Sequence, residues 1–485
     1  MMNLSLLTDF YELTMMQGYY LSGNDDGVVF DYFIRKNPFQ NGYTIFAGLD
    51  PLLKELGNFN FKNEEIDYLK QSGLFRDEFL AYLKEFSFTG DIYAAREGEV
   101  VFPNEPILRV HGNLMETQLI ESILLNFLNF QSLIATKTAR IIYAAEGTPV
   151  LEFGLRRAQG KDGALSAARA SFIGGIAATS NTLAGKIYDI PAKGTMAHSW
   201  VMSFDSELES FREYAKIYPE NCILLVDTYD TLKSGVPNAI KVFQELKEQG
   251  VSDFGIRLDS GDLEYLSKRA REMLDNAGCK DAKIYASSEL DEHIVEELID
   301  KNSPIDAWGI GTKLVTANPD PALSGVYKLV AKKVGSELLP VIKLSNNPEK
   351  MTTPGVKNVM RFYDSAGMMK ADLLYEVNEE DELNRRIQKK DKIRFHHPSI
   401  DYAQFDMTDY KSAEKLLRPV IKNGRRLPID SDLKESQRYC QKQLVALHST
   451  HKRFLHPHIY KVSLSSRLNK TKKQLINEYK KDESY

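Results

Sequence analysis

Cysteine is scarce in this chain. Cys222, Cys279 and Cys440 are the only three in 485 residues, they lie far apart, and no CxxC pair exists. That pattern excludes a disulfide framework or a zinc ribbon and suits a reducing cytosol. A basic excess is also missing: 62 lysines and arginines face 67 aspartates and glutamates, a formal net charge of −5. A protein built to grip a polyanion carries surplus cations, so nucleic acid is not the expected partner, while a local basic site for a small phosphate is still allowed. No Lys or Arg precedes Arg35, whereas Asp9 and Glu12 come early. This is the wrong chemistry for a signal or transit peptide. No run of about 18 apolar residues stands out, so no membrane span is expected and the expected location is the cytoplasm.

What is present is ordinary globular material, 43% hydrophobic and 27% charged, enough for a large core. The length allows about three domains at roughly 150 residues each. Three textures follow one another. Up to about residue 135 the pattern is mixed. Val28, Phe30, Tyr32 and Ile34 alternate as a strand, 90–112 reads as short strands broken by Gly and Pro, and a helix is expected over 116–129. From about 136 to 325, short apolar strands alternate with amphipathic helices. The strands are VLEF (150–153), a stretch within AKGTMAH (192–198), CILLV (222–226), FGIRL (254–258), KIYAS (283–287) and DAWGI (306–310). Ser288 is the expected N-cap of the helix after KIYAS. Such alternation implies βαβ units, a parallel sheet and most of a β/α barrel. From about 326 to 450 the texture is β-rich again, and the mixed-charge tail beyond 450 reads as a solvated helix.

In a parallel barrel, binding groups gather at the carboxyl ends of the strands. Here those ends deliver, in order, Arg156 and Arg157; His198; Asp227 and Asp230; Arg257, Asp259, Ser260, Gly261 and Asp262; Ser287, Ser288 and Glu289; and Gly311, Thr312 and Lys313. Singly, each has a plainer reading. GIGT (309–312) is a turn, Arg156 and Arg157 are surface charges, His198 is a packed histidine, and DTYDT (227–231) caps a helix. The plainer readings give no reason for all of them to fall at successive strand ends. Together, cations suit phosphate or carboxylate, a Gly-rich turn cradles phosphate, and the aspartates suit Mg²⁺ or sugar hydroxyls. The inventory describes a phosphorylated sugar with a second anionic group and a metal.

Seven ordered segments carry a resemblance: TDFYELTM (8–15), EFGLRRAQG (152–160), GTMAHSWV (194–201), LVDTYDTLKSGVPNAI (225–240), GIRLDSGDL (255–263), GIGTKLVTANPDPALSGVYKLV (309–330) and KLSNNPEKMTTPGVKNVMR (343–361). In these the chain resembles the nicotinate phosphoribosyltransferases. The resemblance implies an α/β fold: an incomplete parallel β/α barrel of the type II phosphoribosyltransferase kind, with a β-rich α+β domain from both chain ends. The corresponding division is 1–135 as an N-terminal α+β domain, 136–325 as the barrel, 326–450 as a β-rich segment packing with the N-terminal domain, and 451–485 as a helical tail. It also implies a cytosolic homodimer with shared active sites, acting in NAD salvage without nucleic acid or membrane. Nicotinate and phosphoribosyl pyrophosphate would give nicotinate mononucleotide and pyrophosphate, with Mg²⁺ as cofactor and ATP as co-substrate, hydrolysed through a phosphohistidine.

The same resemblance assigns roles by position. Tyr11, from the neighbouring subunit, and Phe153 resemble the residues that sandwich the pyridine ring. Arg156, Thr195 and Arg257 resemble nicotinate-binding groups, and Gly311 with Thr312 the 5′-phosphate grip. His198 resembles the phosphorylated histidine, and Asp259 a catalytic carboxylate. No metal ligand is assigned. Two other readings are a nicotinamide phosphoribosyltransferase and a non-catalytic phosphosugar-binding barrel. Amide-using relatives carry Asp where Asn181 stands here, and an Asp would repel a carboxylate, so Asn181 favours the acid. A sensor would have no need of His198.

Overall fold

The computed structural model describes residues 3–345, 351–429 and 432–482. Residues 346–350 of the last motif and 483–485 of the tail lie outside that set. The chain divides into two compact units, one formed by 1–133 with 322–485, the other by 134–321.

The first unit is built from both chain ends. Its seven-stranded sheet pairs Gly27–Ile34 antiparallel with Gly325–Val334 on one side and Leu108–Asn113 on the other, and Asp91–Ala94 with Arg418–Lys422. The alternation read in Gly27–Ile34 suggests one wet face, but seven of its eight residues are buried. Buried Asp31 on the second face is paired with Lys357, also buried. A six-stranded sheet drawn from 357–464 completes the unit. Buried Arg361 joins these parts. It forks onto Asp372 at 2.7 and 2.9 Å and reaches Glu99 at 2.7 Å, while Tyr460 donates to Asp372 at 3.0 Å. The terminal helix Ser466–Asp482 is not simply solvated: Leu468 is fully buried and Lys472 donates to the Pro398 carbonyl at 3.1 Å.

The second unit holds six parallel strands: β1 (Val150–Glu152), β2 (Ala178–Thr179), β3 (Cys222–Leu225), β4 (Phe254–Leu258), β5 (Lys283–Ser288) and β6 (Ala307–Ile310). Their order is β2-β1-β6-β5-β4-β3. This is the circular order of a barrel with the seam between β2 and β3 left open. The buried runs CILL and AWGI are continuous hydrophobic strands, as a sheet covered on both faces requires. Helices α1 (Gly160–Gly174), α2 (Thr182–Tyr188), α3 (His198–Met202), α4 (Glu207–Ile217), α5 (Val236–Glu248), α6 (Leu263–Asn276), α7 (Glu292–Asp300) and α8 (Thr312–Val315) lie between or after the strands.

Three sequence expectations need correcting. AKGTMAH does not form a strand: only Ala192 makes a bridge, to Thr179, and His198 opens the short helix α3. Gly194 and the lack of an apolar alternation leave this segment as a loop across the open seam. Ser288 does not cap α7. Asp291 does, accepting from the amides of His293 and Ile294 at 3.1 Å, while Ser288 ends β5 with a φ of 129°, a strained region for a non-glycine residue. The helical run 114–144 does have the length and apolar composition of a membrane span, but most of its most apolar stretch is buried, which is how a core helix satisfies the same composition.

Candidate functional site

The parallel order puts the carboxyl ends of all six strands on one rim, and most of the polar groups that the sequence placed there do meet. Asp259, just past β4, is the hub. One of its oxygens accepts from the Ser287 hydroxyl of β5, and its backbone amide donates to Asp227 Oδ2, past β3, at 3.1 Å. Its other oxygen, Oδ2, lies 3.7 Å from Arg257 Nη2 and 3.7 Å from His198 Nε2. The Ser260 hydroxyl also donates to Asp227 Oδ2, whereas Asp227 Oδ1 is buried without a partner. The His198 ring is held from its far side by Thr228, with Nδ1 and the hydroxyl 3.1 Å apart.

Arg257 is the most constrained charge of the group. Its side chain is 14% exposed, it donates to the Thr195 hydroxyl, and its Nε is buried with no partner. Burial pulls the guanidinium below its ordinary pKa. Asp259 and Asp227 oppose that shift, while Arg156 adds repulsion. A buried cation with an open donor is an anion receptor, because leaving the donor unpaired costs about 1–3 kcal/mol.

Phe153 follows β1, its amide bonded to the Ile310 carbonyl at 2.8 Å. Its ring lies against Gly309 of β6, where a Cβ would stand 2.6 Å from Cδ2 and 2.7 Å from Cε2. A Cβ at Gly154 would meet Val315 at 2.3 Å, and one at Gly311 the Phe153 carbonyl at 3.0 Å. These glycines let β1 and β6 close tightly around the ring, and Ser287 Cβ is 3.3 Å from the same Gly309 position. Buried Glu152 fastens the turn from below, accepting from the Gly154 amide and the Thr179 hydroxyl, with burial raising its pKa.

The four rim aspartates separate by function. Asp230 accepts from the Leu232 and Lys233 amides and Asp262 from the Tyr265 amide, so both cap helical turns. Asp227 and Asp259 face the cationic groups. Thr195, His198, Arg257 and Asp259 are thus brought together, with Phe153 and Gly311 along the neighbouring strand ends. Thr312 stands beside Gly311 but donates to Glu289 at 3.1 Å. Arg156 is exposed, and its nearness to Arg257 is electrostatic. Tyr11 belongs to the first unit, on the helix Phe10–Ser22, and is 48% exposed. Asn181 caps α2, its Oδ1 accepting from the Ala184 amide at 3.2 Å, so this oxygen is engaged with backbone. Thr228 and Ser287 escaped assignment in the sequence. The sequence places Ser287 at the end of KIYAS without a role, and strand register then sets it beside Gly309. Among the described residues no group of three or more His, Cys, Asp or Glu is gathered as a metal site.

An incomplete parallel barrel with a buried cation, carboxylates and a Gly-rich turn on one rim is suited to a phosphorylated sugar with a second anion. Residues 6–129 match the N-terminal domain of nicotinate phosphoribosyltransferase (NAPRTase), 149–376 the NAPRTase family, and 356–472 its C-terminal domain. The chain is 43% identical over 480 residues to nicotinate phosphoribosyltransferase of Bacillus subtilis, covering 99% of this chain and 96% of that one. The crystal structure of human nicotinic acid phosphoribosyltransferase superposes with a TM-score of 0.84 at 29% identity, covering 97% and 99%. In fold alone the chain also resembles nicotinate-nucleotide pyrophosphorylase from Pyrococcus furiosus, with a TM-score of 0.71 at 22% identity over 92% and 96%. The chain belongs to the nicotinate phosphoribosyltransferase family.

The packing of Phe153 on Gly309 is open to test. Gly309→Ala should cost about 1–3 kcal/mol by overpacking. Truncation of the ring in the same chain, Phe153→Leu, should recover most of that loss. Urea midpoints of the two single variants and the double variant give the coupling. Strictly additive effects would mean that the ring does not rest on Gly309.

Proposed function

We propose that this chain transfers the phosphoribosyl group of phosphoribosyl pyrophosphate to nicotinate, forming nicotinate mononucleotide and releasing pyrophosphate, a step of NAD salvage. The observation that carries this reading is the under-satisfied Arg257 guanidinium at a rim that also holds an aromatic face. Nicotinate is a flat aromatic anion. Phe153 would stack on one face of the ring, while Arg257 and Thr195 take its carboxylate. Nicotinamide would leave the guanidinium facing a neutral amide.

The ring nitrogen attacks the anomeric carbon as the bond to pyrophosphate breaks, so no protein nucleophile is needed. Positive charge develops on the ribose and negative charge on the leaving group. Asp227 and Asp259 would hold ribose hydroxyls and stabilise the developing cation, and Gly311 with Thr312 would hold the 5′-phosphate. Mg²⁺, when bound with pyrophosphate, would neutralise the leaving group, and the partnerless Asp227 Oδ1 with Asp259 are the oxygens suited to meet it.

ATP enters as a co-substrate. Its γ-phosphate would pass to His198, whose ring is 41% exposed on the rim, releasing ADP, and water would then hydrolyse the phosphohistidine to phosphate and free histidine. The dianionic group changes the affinity for substrate and product, so coupling is a difference between two enzyme states rather than a chemical requirement of transfer. The protein works in the cytoplasm, on small molecules, with neither nucleic acid nor membrane as partner. It acts as a homodimer in which exposed Tyr11 of one subunit covers the pyridine ring bound by the other.

Pyrophosphate release from phosphoribosyl pyrophosphate and nicotinate, with and without ATP, tests the reading. His198→Asn should take up no acid-labile label from γ-labelled ATP and lose ATP stimulation, while slow ATP-independent transfer continues at high substrate. Labelling of that variant, or full stimulation, would remove His198 from the coupling.

Subunit mixing tests the shared site. Tyr11→Ala and Asp259→Asn should each be nearly inactive. After exchange, half the dimers are mixed and each has one intact site, so about a quarter of wild-type activity should return. Mixtures that exchange fully and stay inactive would contradict a shared site.

A further inference from the structure

The His198 ring is reached from two directions, and both lead to one buried carboxylate outside the rim. In one direction, His198 opens α3, and Trp200 of the same helix donates from Nε1 to the Ser210 carbonyl of α4 at 3.0 Å. The first residue of α4 is Glu207, 6% exposed. In the other direction, His198 Nδ1 meets Thr228, and the chain runs on through Asp230 into a π-helical turn, Thr231–Gly235. Ser234 of that turn donates to Glu207 Oε2, and Asn238 of α5 donates to the same oxygen at 2.9 Å. Three hydrogen bonds and the backbone between them therefore form a closed circuit: His198 to Thr228, the π-turn, Ser234 to Glu207, α4, and Ser210 to Trp200 and back to His198.

We propose that Glu207 is a positioning residue for His198, closing this circuit so that the helix bearing the histidine and the turn bearing its partner Thr228 keep one fixed relation. The inference rests on the reading of His198 as the phosphorylated group. Two features of the turn give Glu207 something to hold. A π-turn is a less stable winding than an α-turn, and relaxing it returns about one residue of slack to the preceding loop, here the segment Asp227–Asp230. The turn is also forced close to the sheet: a Cβ at Gly235 would stand 1.8 Å from the Val226 carbonyl oxygen. Asp230 secures its start, accepting from the Leu232 and Lys233 amides, and Glu207 is the acceptor that secures its end. The carboxylate's other oxygen, Oε1, is buried without a partner. That is a costly arrangement if the position only filled space, since an apolar side chain would fill it at less cost. An acceptor that fixes Ser234 and Asn238 supplies direction, which an apolar side chain does not.

The test uses the full-length enzyme with ¹⁵N-labelled histidine, the His198 resonances being assigned by their loss in His198→Asn. In Glu207→Ala, the His198 ring nitrogens should move toward the shifts of a freely averaging imidazole. Label uptake from γ-labelled ATP should fall about tenfold, several times more than ATP-independent transfer, which depends on the same loop only through Asp227. Glu207→Gln keeps an acceptor oxygen and should restore most of the labelling. Ser234→Ala removes a single bond of the circuit and gives a milder change of the same kind if Glu207→Ala does not fold. Unmoved His198 resonances in a folded Glu207→Ala or Ser234→Ala variant would overturn the proposal. So would a parallel fall of labelling and ATP-independent transfer in step with the folded fraction. Absence of label in the wild-type enzyme would instead defeat the phosphohistidine reading, and the nitrogen shifts would still decide whether Glu207 positions the ring.

Discussion

The second unit is organised around a cation that it does not fully neutralise. Arg257 sits on β4 between β3 and β5, largely out of water, with one hydroxyl as a direct partner and the nearest carboxylate oxygen 3.7 Å away. Withdrawing a guanidinium from water is expensive unless anions and acceptors surround it. The neighbouring hydrogen bonds read as consequences of that constraint. Ser287 engages one oxygen of Asp259 and leaves the other free toward Arg257 and His198. Asp227 receives the Asp259 amide and the Ser260 hydroxyl, holding the turn after β4 in place. On the proposed function the remaining deficit is met by the nicotinate carboxylate, which would complete a shell that the protein leaves incomplete.

Close backbone approach is the second condition. Gly309, Gly154 and Gly311 remove the side chains that would otherwise keep β1, β6 and the turn after them apart. The Phe153 ring is then fixed by the sheet itself rather than by a mobile loop, and sites built on rigid elements hold geometry better. The open seam between β2 and β3 serves the opposite need. The segment that crosses it carries Thr195 and His198 on non-strand backbone, anchored by side-chain bonds to Arg257 and Thr228. The phosphoryl exchange proposed for His198 fits better there than on a buried strand.

Much of this was legible in the sequence because parallel strands covered on both faces are short apolar runs. VLEF, CILLV, FGIRL, KIYAS and DAWGI all contain or overlap observed strands. The polar residues after them marked the rim. β2 was missed because two residues, Ala178–Thr179, carry no periodicity. AKGTMAH looked like the missing strand because it lies where a barrel needs one. The capping by Asp230 was legible in DTYDT, whereas the roles of Asn181 as a cap and of Asp262 as a turn-former depend on backbone amides that a sequence does not display. Glu207 was invisible for the same reason: ELESF reads as the polar start of an amphipathic helix, and its partners lie 27 and 31 residues away.

The central claim is that the buried Arg257 charge selects a planar carboxylate. Calorimetric binding of nicotinate and of nicotinamide to the wild-type enzyme and to Arg257→Met, with phosphoribosyl pyrophosphate absent, measures it most directly. The wild type should prefer the acid by about a hundredfold, the effect of an unpaired buried donor. Arg257→Met should keep its fold and lose nearly all of that preference by weakening nicotinate alone. An undiminished preference in a folded Arg257→Met enzyme would contradict the account.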